Sequence, residues 1–137
     1  MKEGKSEAIS AGDEMHSTDL DTAVTAWPSD PAAWPAIGPD DVRTGLEAER
    51  LRLVDVREPG AYEAGHIPSA ANVPFELLEQ RIGAIPRDRA IVLVSDDGTL
   101  SSRARARLAE LGLPGALTVE GGTRAWAARG YPVQTAA

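Results

Sequence analysis

Cysteine does not occur anywhere in the 137 residues. Its absence excludes disulfides, thiolate metal sites, dithiol relays and any thiol nucleophile together. Aromatic residues are scarce as well, at 4% of the chain, so aliphatic side chains have to supply most of the buried area. Lysine stops at Lys5, and all later basic charge is carried by twelve arginines. With 21 acidic against 14 basic residues the formal charge is -7, which opposes general attraction to nucleic acid or to an anionic membrane surface. No apolar run approaches the length of a membrane span, and no apolar segment follows Lys2 and Lys5 as one follows the charges of a secretory leader. The expectation is a cytoplasmic protein that engages neither nucleic acid nor membrane.

The length suits one hydrophobic core, and 42% apolar with 26% charged residues is a globular composition. The acids are unevenly placed. Residues 1–37 hold seven of them (Glu3, Glu7, Asp13, Glu14, Asp19, Asp21, Asp30) against two lysines, whereas residues 38–137 set fourteen acids against twelve arginines. The first segment is polar, then rich in Ala and Pro, without sustained helical or strand periodicity, and reads as a flexible acidic tail ahead of a domain spanning 38–137. Trp27-Pro28 and Trp34-Pro35 recur seven residues apart within it. They suit either a docking segment for a partner or a linker remnant whose indoles settle on free apolar surface.

Order is expected to begin at Pro39, with Asp40 or Asp41 capping a helix that ends near Glu49. Leu51–Asp55 reads as a short strand, 61–64 as at most one helical turn, Ala70–Val73 as a strand and Glu76–Ile82 as a helix. Ala90-Ile91-Val92-Leu93-Val94 is continuously apolar, the pattern of a strand covered on both faces in a parallel sheet. A loop from Ser95 to Leu100 leads into a helix from Ser101 to about Leu111, with Gly112 in the C-terminal glycine position. A strand at Ala116–Val119 and a helix over roughly Thr123–Arg129 follow the same alternation. The class is therefore α/β with a mostly parallel sheet, and ligands of such sheets sit beyond the carboxyl ends of strands. The loop after Val94 is the place such a ligand would occupy.

Several segments together resemble a rhodanese domain over about 70% of the chain, from Gly38 to Val133. They are Leu53-Val54-Asp55-Val56-Arg57-Glu58, Tyr62, Gly65-His66-Ile67-Pro68-Ser69-Ala70 with Asn72, Val73 and Pro74, the strand Ile91–Val94, and Glu120-Gly121-Gly122 with Trp126 and Gly130-Tyr131-Pro132. The resemblance implies a three-layer domain around a parallel sheet of about five strands. It also implies a nucleophilic Cys directly after the central strand, in a six-residue loop that usually ends in Arg. That Cys takes sulfane sulfur from a donor as a persulfide and passes it to an acceptor. Here the loop is Ser95-Asp96-Asp97-Gly98-Thr99-Leu100, with Ser95 at the nucleophile position and Leu100 at the usual Arg.

A persulfide requires a sulfur nucleophile, which an alcohol does not replace near neutral pH. A serine hydrolase would require a base within hydrogen-bond reach, and the histidines are His16 in the tail and His66 in a turn motif whose role in the family is mainly structural. The related phosphatases of this fold need both the Cys and an Arg after five intervening residues, where this chain has Ser101. Asp96 and Asp97 would each repel an anion at about 4 Å by roughly 1 to 4 kcal/mol. They suit solvent, a cap on the following helix, a basic partner or, with Ser95, a divalent cation, of which solvated or capping roles are the ordinary ones. Asp55 and Arg57 are expected to brace the loops through hydrogen bonds and an ion pair. Arg103, Arg105 and Arg107, spaced by two, cannot share one helix face and imply no arginine clamp. The reading is a rhodanese-like domain inactive as a sulfurtransferase, without metal or cofactor, acting as a binding or regulatory module. Its contact surfaces are the vestigial loop 95–100 and the Trp27/Trp34 tail. The alternative is a sulfurtransferase-family enzyme that borrows a Cys from another chain or uses divergent chemistry.

Overall fold

A computed structural model describes residues 35–135. The tail reading for residues 1–34, including Trp27, Trp34 and His16, lies outside the described residues. In chain order the elements are β1 (Ala36–Ile37), α1 (Pro39–Glu47), β2 (Leu51–Asp55), α2 (Pro59–Ala64) and β3 (Ala71–Asn72), then α3 (Leu78–Arg81), β4 (Ala90–Val94), α4 (Thr99–Glu110), β5 (Leu117–Val119) and α5 (Gly122–Ala128). The five strands form one sheet in the order β1-β5-β4-β2-β3, with every neighbouring pair parallel.

β4 lies at the centre with all five residues buried, because helices cover both faces and neither face of the strand can be polar. Its side chains divide by the two-residue period. Val92 and Val94 join a cluster with Val42, Leu53, Ile67, Val119 and Trp126 on the α1/α5 side. Ile91 and Leu93 join Val54, Val56, Leu78, Ala104 and Leu108 on the α3/α4 side. The result is three layers, helix, sheet and helix.

Several boundaries differ from the sequence expectation for identifiable reasons. Ala36 and Ile37 pair with Thr118 and Val119, and Ile37 is buried, so these two residues, placed in the tail by the sequence reading, belong to the sheet. A strand of two residues at a sheet edge is too short to leave a periodic signal. Neither Asp40 nor Asp41 caps α1; Gly38 occupies the N-cap and Pro39 the first turn, while Asp40 accepts hydrogen bonds from Arg129 and Tyr131. α1 stops at Glu47 because Glu49 takes a left-handed φ of 57°, and Arg50 N–H and Glu49 N–H close back onto Gly45 O and Leu46 O. Gly112, with φ of 92°, ends α4 through the same pair of bonds, from Leu113 and Gly112 to Leu108 and Ala109. The helix expected at 76–82 is broken into a 3-10 turn at Phe75–Leu77, α3, and a second 3-10 turn at Ile82–Ala84.

Candidate functional site: the loop after the central strand

Ser95 follows β4 directly and is buried. Its Oγ accepts the N–H of Gly98 at 3.2 Å and of Ser101 at 3.1 Å, and donates to Ser101 Oγ at 3.2 Å. Ser101 Oγ in turn donates to the Gly98 carbonyl at 3.1 Å. The hydroxyl at position 95 is thus engaged both as donor and as acceptor by the first turn of α4.

The irregular segment is shorter than the six residues expected, since Thr99 and Leu100 already belong to α4. Asp97 Oδ1 accepts the Thr99 N–H at 3.0 Å, and Gly98 adopts φ of 100°, so the turn into the helix is complete two residues early. The Thr99 amide, followed by its hydroxyl, holds the Asp97 carboxyl below the usual carboxylate range. Asp96 has a different partner. Its Oδ1 accepts from Arg57 Nη1 at 3.1 Å.

Arg57 is the hub of the site. Its Nε and Nη2 reach Asp55 Oδ1 and Oδ2 at 3.0 and 2.8 Å, and Nη2 also donates to Gly65 O at 2.7 Å. Burial pulls the guanidinium down, but the hydrogen bonds and charge of Asp55, and then of Asp96, outweigh it and leave its pKa raised. Asn72 Nδ2 donates to the carbonyls of Asp55 and Arg57, both at 3.0 Å, and fixes the backbone beneath the pair. The guanidinium therefore joins the end of β2, the loop after β4 and the Gly65 turn.

α5 closes the other side. Thr123 N–H donates to Ser95 O at 2.8 Å and Arg124 N–H to Asp96 O at 3.0 Å. A Cβ on Gly122 would lie 2.2 Å from Ser95 O and 2.5 Å from Asp96 O, and the φ of 61° favours glycine independently. Gly121-Gly122 therefore brings a helix terminus into contact with the loop backbone.

Between these elements opens a shallow cleft of about 210 Å³, lined by Arg57, Ser95, Asp96, Leu100, Arg103 and Arg124 among others. Arg103 lies over the Phe75 ring, 4.9 Å from its centroid. The sequence reading missed the convergence of Arg103 with Arg124 because it tested arginines along one helix, and these two arrive from α4 and α5. The neighbouring arginines do separate work. Arg105 is buried and donates to Pro35 O at 3.2 Å, while Arg107 pairs with Glu79 and Glu110. His66 is buried and stacks on Tyr62, 3.7 Å between ring centroids. Its Nδ1 lies 2.8 Å from Tyr62 O, which can only accept, so that nitrogen carries the proton. His66 does not line the cleft. Among the described residues no group of three or more His, Asp or Glu side chains is placed to hold a metal ion, and no helix is long and apolar enough to cross a membrane.

A parallel five-stranded sheet covered by helices on both faces, with a loop and helix N-terminus directly after the central strand, defines a three-layer α/β domain. The rhodanese-like domain family model matches residues 38–129, and the chain belongs to that family. A sulfurtransferase of Allochromatium vinosum is 37% identical over 87 residues, covering 64% of this chain and 81% of its own. The thiosulfate sulfurtransferase GlpE of Shewanella oneidensis is 35% identical over 80 residues, covering 58% and 79%. The crystal structure of a rhodanese-related protein from Thermoplasma volcanium superimposes with a TM-score of 0.66 at 30% identity, covering 74% of this chain and 98% of that one.

Proposed function

We propose that this chain is a rhodanese-like module that binds or regulates and does not itself carry sulfur. The observation behind the reading is the Ser95 hydroxyl, at the position where the resemblance puts the nucleophile, bonded inward to Gly98 and Ser101 in a chain with no cysteine. An oxygen there has neither the low-pKa sulfur nor a neighbouring base to make it a carrier. Asp55 and Arg57 brace the loop in this reading, and Ser95–Leu100 supplies the face presented to a protein partner. Residues 1–34 with Trp27 and Trp34 are a second contact segment. The setting is cytoplasmic, which fractionation of cells carrying a tagged protein tests.

Thiocyanate production from thiosulfate and cyanide is the direct assay. Purified wild-type protein is expected to match a heat-inactivated control, and intact mass measurement after donor exposure is expected to show no added sulfur. Turnover by the wild type, or a gain of one sulfur atom in its mass, sinks the proposal and favours divergent chemistry. Restoration of turnover only on mixing with a cysteine-bearing partner favours the shared-site alternative. Ser95→Cys, run alongside, tests the remaining loop: activity in that variant shows that the nucleophile alone is lost, whereas silence implicates Asp96, Asp97 and Leu100.

A further inference from the structure

Two short stretches lie side by side at the amino end of the sheet, Glu49-Arg50-Leu51-Arg52 entering β2 and Arg87-Asp88-Arg89 entering β4. The Ala90 N–H donates to Arg50 O and joins them. Together they hold four arginines and two acids, on a chain whose net charge is -7. A positive pole on a negative protein steers an acidic partner toward one face.

A notch of about 110 Å³ opens at this pole between the start of β4 and the approach to β5, lined by Arg87, Arg89, Ile91, Leu113, Pro114 and Ala116 among others. The β4–β5 ladder begins only at Val92 with Leu117. Ahead of that rung come Pro114, which has no N–H, and Gly115, at φ of 99°, so the chain enters β5 out of strand geometry. Since Ala90 N–H turns to β2, alternation turns the Ile91 N–H toward β5 and the notch. No carboxylate among the described residues lines it. Asp88 is gripped by Arg52 through both oxygens, and Glu49 stands in the neighbouring concavity. Arg87 has no ion-pair partner among the described residues, and its Nη2 donates to Ile82 O at 3.3 Å. Arg89 stays 3.8 Å from Glu49 and 3.9 Å from Asp88, beyond hydrogen-bond reach.

We propose that this notch binds a peptide carboxylate: an acidic side chain of a partner protein, held by Arg87 and Arg89, with an apolar neighbour of that acid seated on Leu113 and Pro114. The two arginines supply the charge, and the Ile91 N–H supplies a main-chain donor. The apolar half of the lining favours an acid carried on a peptide over a bare inorganic anion. The volume admits one side chain, well short of the roughly 300 Å³ or more that small-molecule pockets require. Ser95–Leu100 lies past the other end of β4, roughly 17 Å away along five strand residues. The notch is thus a second surface, and it stands whether or not the loop contacts a partner.

The probe is the blocked tetrapeptide acetyl-Leu-Glu-Leu-Glu-amide, titrated into the full chain and followed by amide NMR. Saturating shifts are expected at Arg89, Ile91, Gly115 and Ala116, with a midpoint on the order of 1 mM. In Arg87→Gln/Arg89→Gln, with a spectrum dispersed as a folded protein's is, the midpoint should rise at least about tenfold. The wild type gives an independent reading: about 1 M salt, where screening shortens to about 3 Å, should abolish the shifts. The matched peptide with Gln in place of Glu should produce none. Absence of saturation up to about 10 mM, shifts centred on Ser95–Leu100, or equal binding of the Gln peptide would overturn the proposal. So would equal affinity for inorganic phosphate, which would make the notch an unselective anion site. A change in the same signals on dilution without peptide would assign the notch to a second copy of the chain and overturn it as well. The readout does not involve sulfur chemistry, so thiosulfate turnover by the wild type would remove the functional reading without altering this result.

Discussion

The two ends of β2 carry the same kind of pair and use it in opposite ways. At the amino end Arg52 grips Asp88 through Nε and Nη2 at 2.9 and 2.7 Å, in full view of solvent. At the carboxyl end Arg57 grips Asp55 with nearly the same two-pronged geometry, but Asp55 is fully buried and Arg57 is 8% exposed. Geometry does not separate the two. Burial does, because a lone charge left in the interior has no water to turn to, whereas a lone charge at the surface is rehydrated at once. The carboxyl end is also where the loop after β4 and the terminus of α5 meet, so the buried pair holds a junction and the exposed pair holds little.

Four perturbations test that contrast. Asp55→Ala strands Arg57 with only Asp96 as a counter-charge, and chemical denaturation should show a loss of about 3 kcal/mol; a loss near zero would mean the junction does not depend on the pair. Gly122→Ala forces a Cβ against the Ser95 and Asp96 carbonyls at a left-handed φ, and the same measurement should register at least about 2 kcal/mol. Ser95→Ala removes an acceptor from the Gly98 and Ser101 amides while leaving the backbone path intact, with an expected loss of about 1 kcal/mol. Arg52→Ala, at the other end, should leave the melting temperature close to that of the wild type, and a drop as large as that of Asp55→Ala would erase the distinction.

The exposed pair still has a pH signature. Arg52 holds the Asp88 carboxyl down to about 2 from the ordinary 3.8. A carboxyl depressed in the folded state stabilises above its unfolded value and loses that contribution as pH falls through the folded one. Titration of Asp88 by carboxyl-resolved NMR should give a midpoint near 2 in the wild type and a higher one in Arg52→Ala, where the Asp88 main-chain hydrogen bond and Arg89 still hold the carboxyl down.

Sequence alone yielded β2 and β4 at their observed boundaries: β4 because a strand covered on both faces writes an unbroken apolar run, and β2, which Arg52 interrupts, because a short apolar stretch runs into the turn residues Glu58-Pro59-Gly60. Gly112 was legible for a similarly local reason. β1 was not, since Ala36 and Ile37 are strand only by virtue of their partners on β5. The site divides along the same line. Ser95, Asp96 and Asp97 can be located from the strand they follow and from the family resemblance, yet nothing local shows that Asp97 holds the Thr99 amide while Asp96 turns to Arg57. Arg103 and Arg124 share a cleft only because α4 and α5 both start at the carboxyl end of the sheet, a fact of topology with no trace in spacing.

The contact between α5 and the loop has a consequence for engineering. Thr123 and Arg124 hold the carbonyls of Ser95 and Asp96 from outside through main-chain atoms, so the backbone at residues 95 and 96 keeps a support that is independent of the bonds the Ser95 hydroxyl makes to Gly98 and Ser101. Chemistry at that position is in this sense a replaceable insert in a fixed mount, and redesign of its reactivity should leave Gly121 and Gly122 untouched.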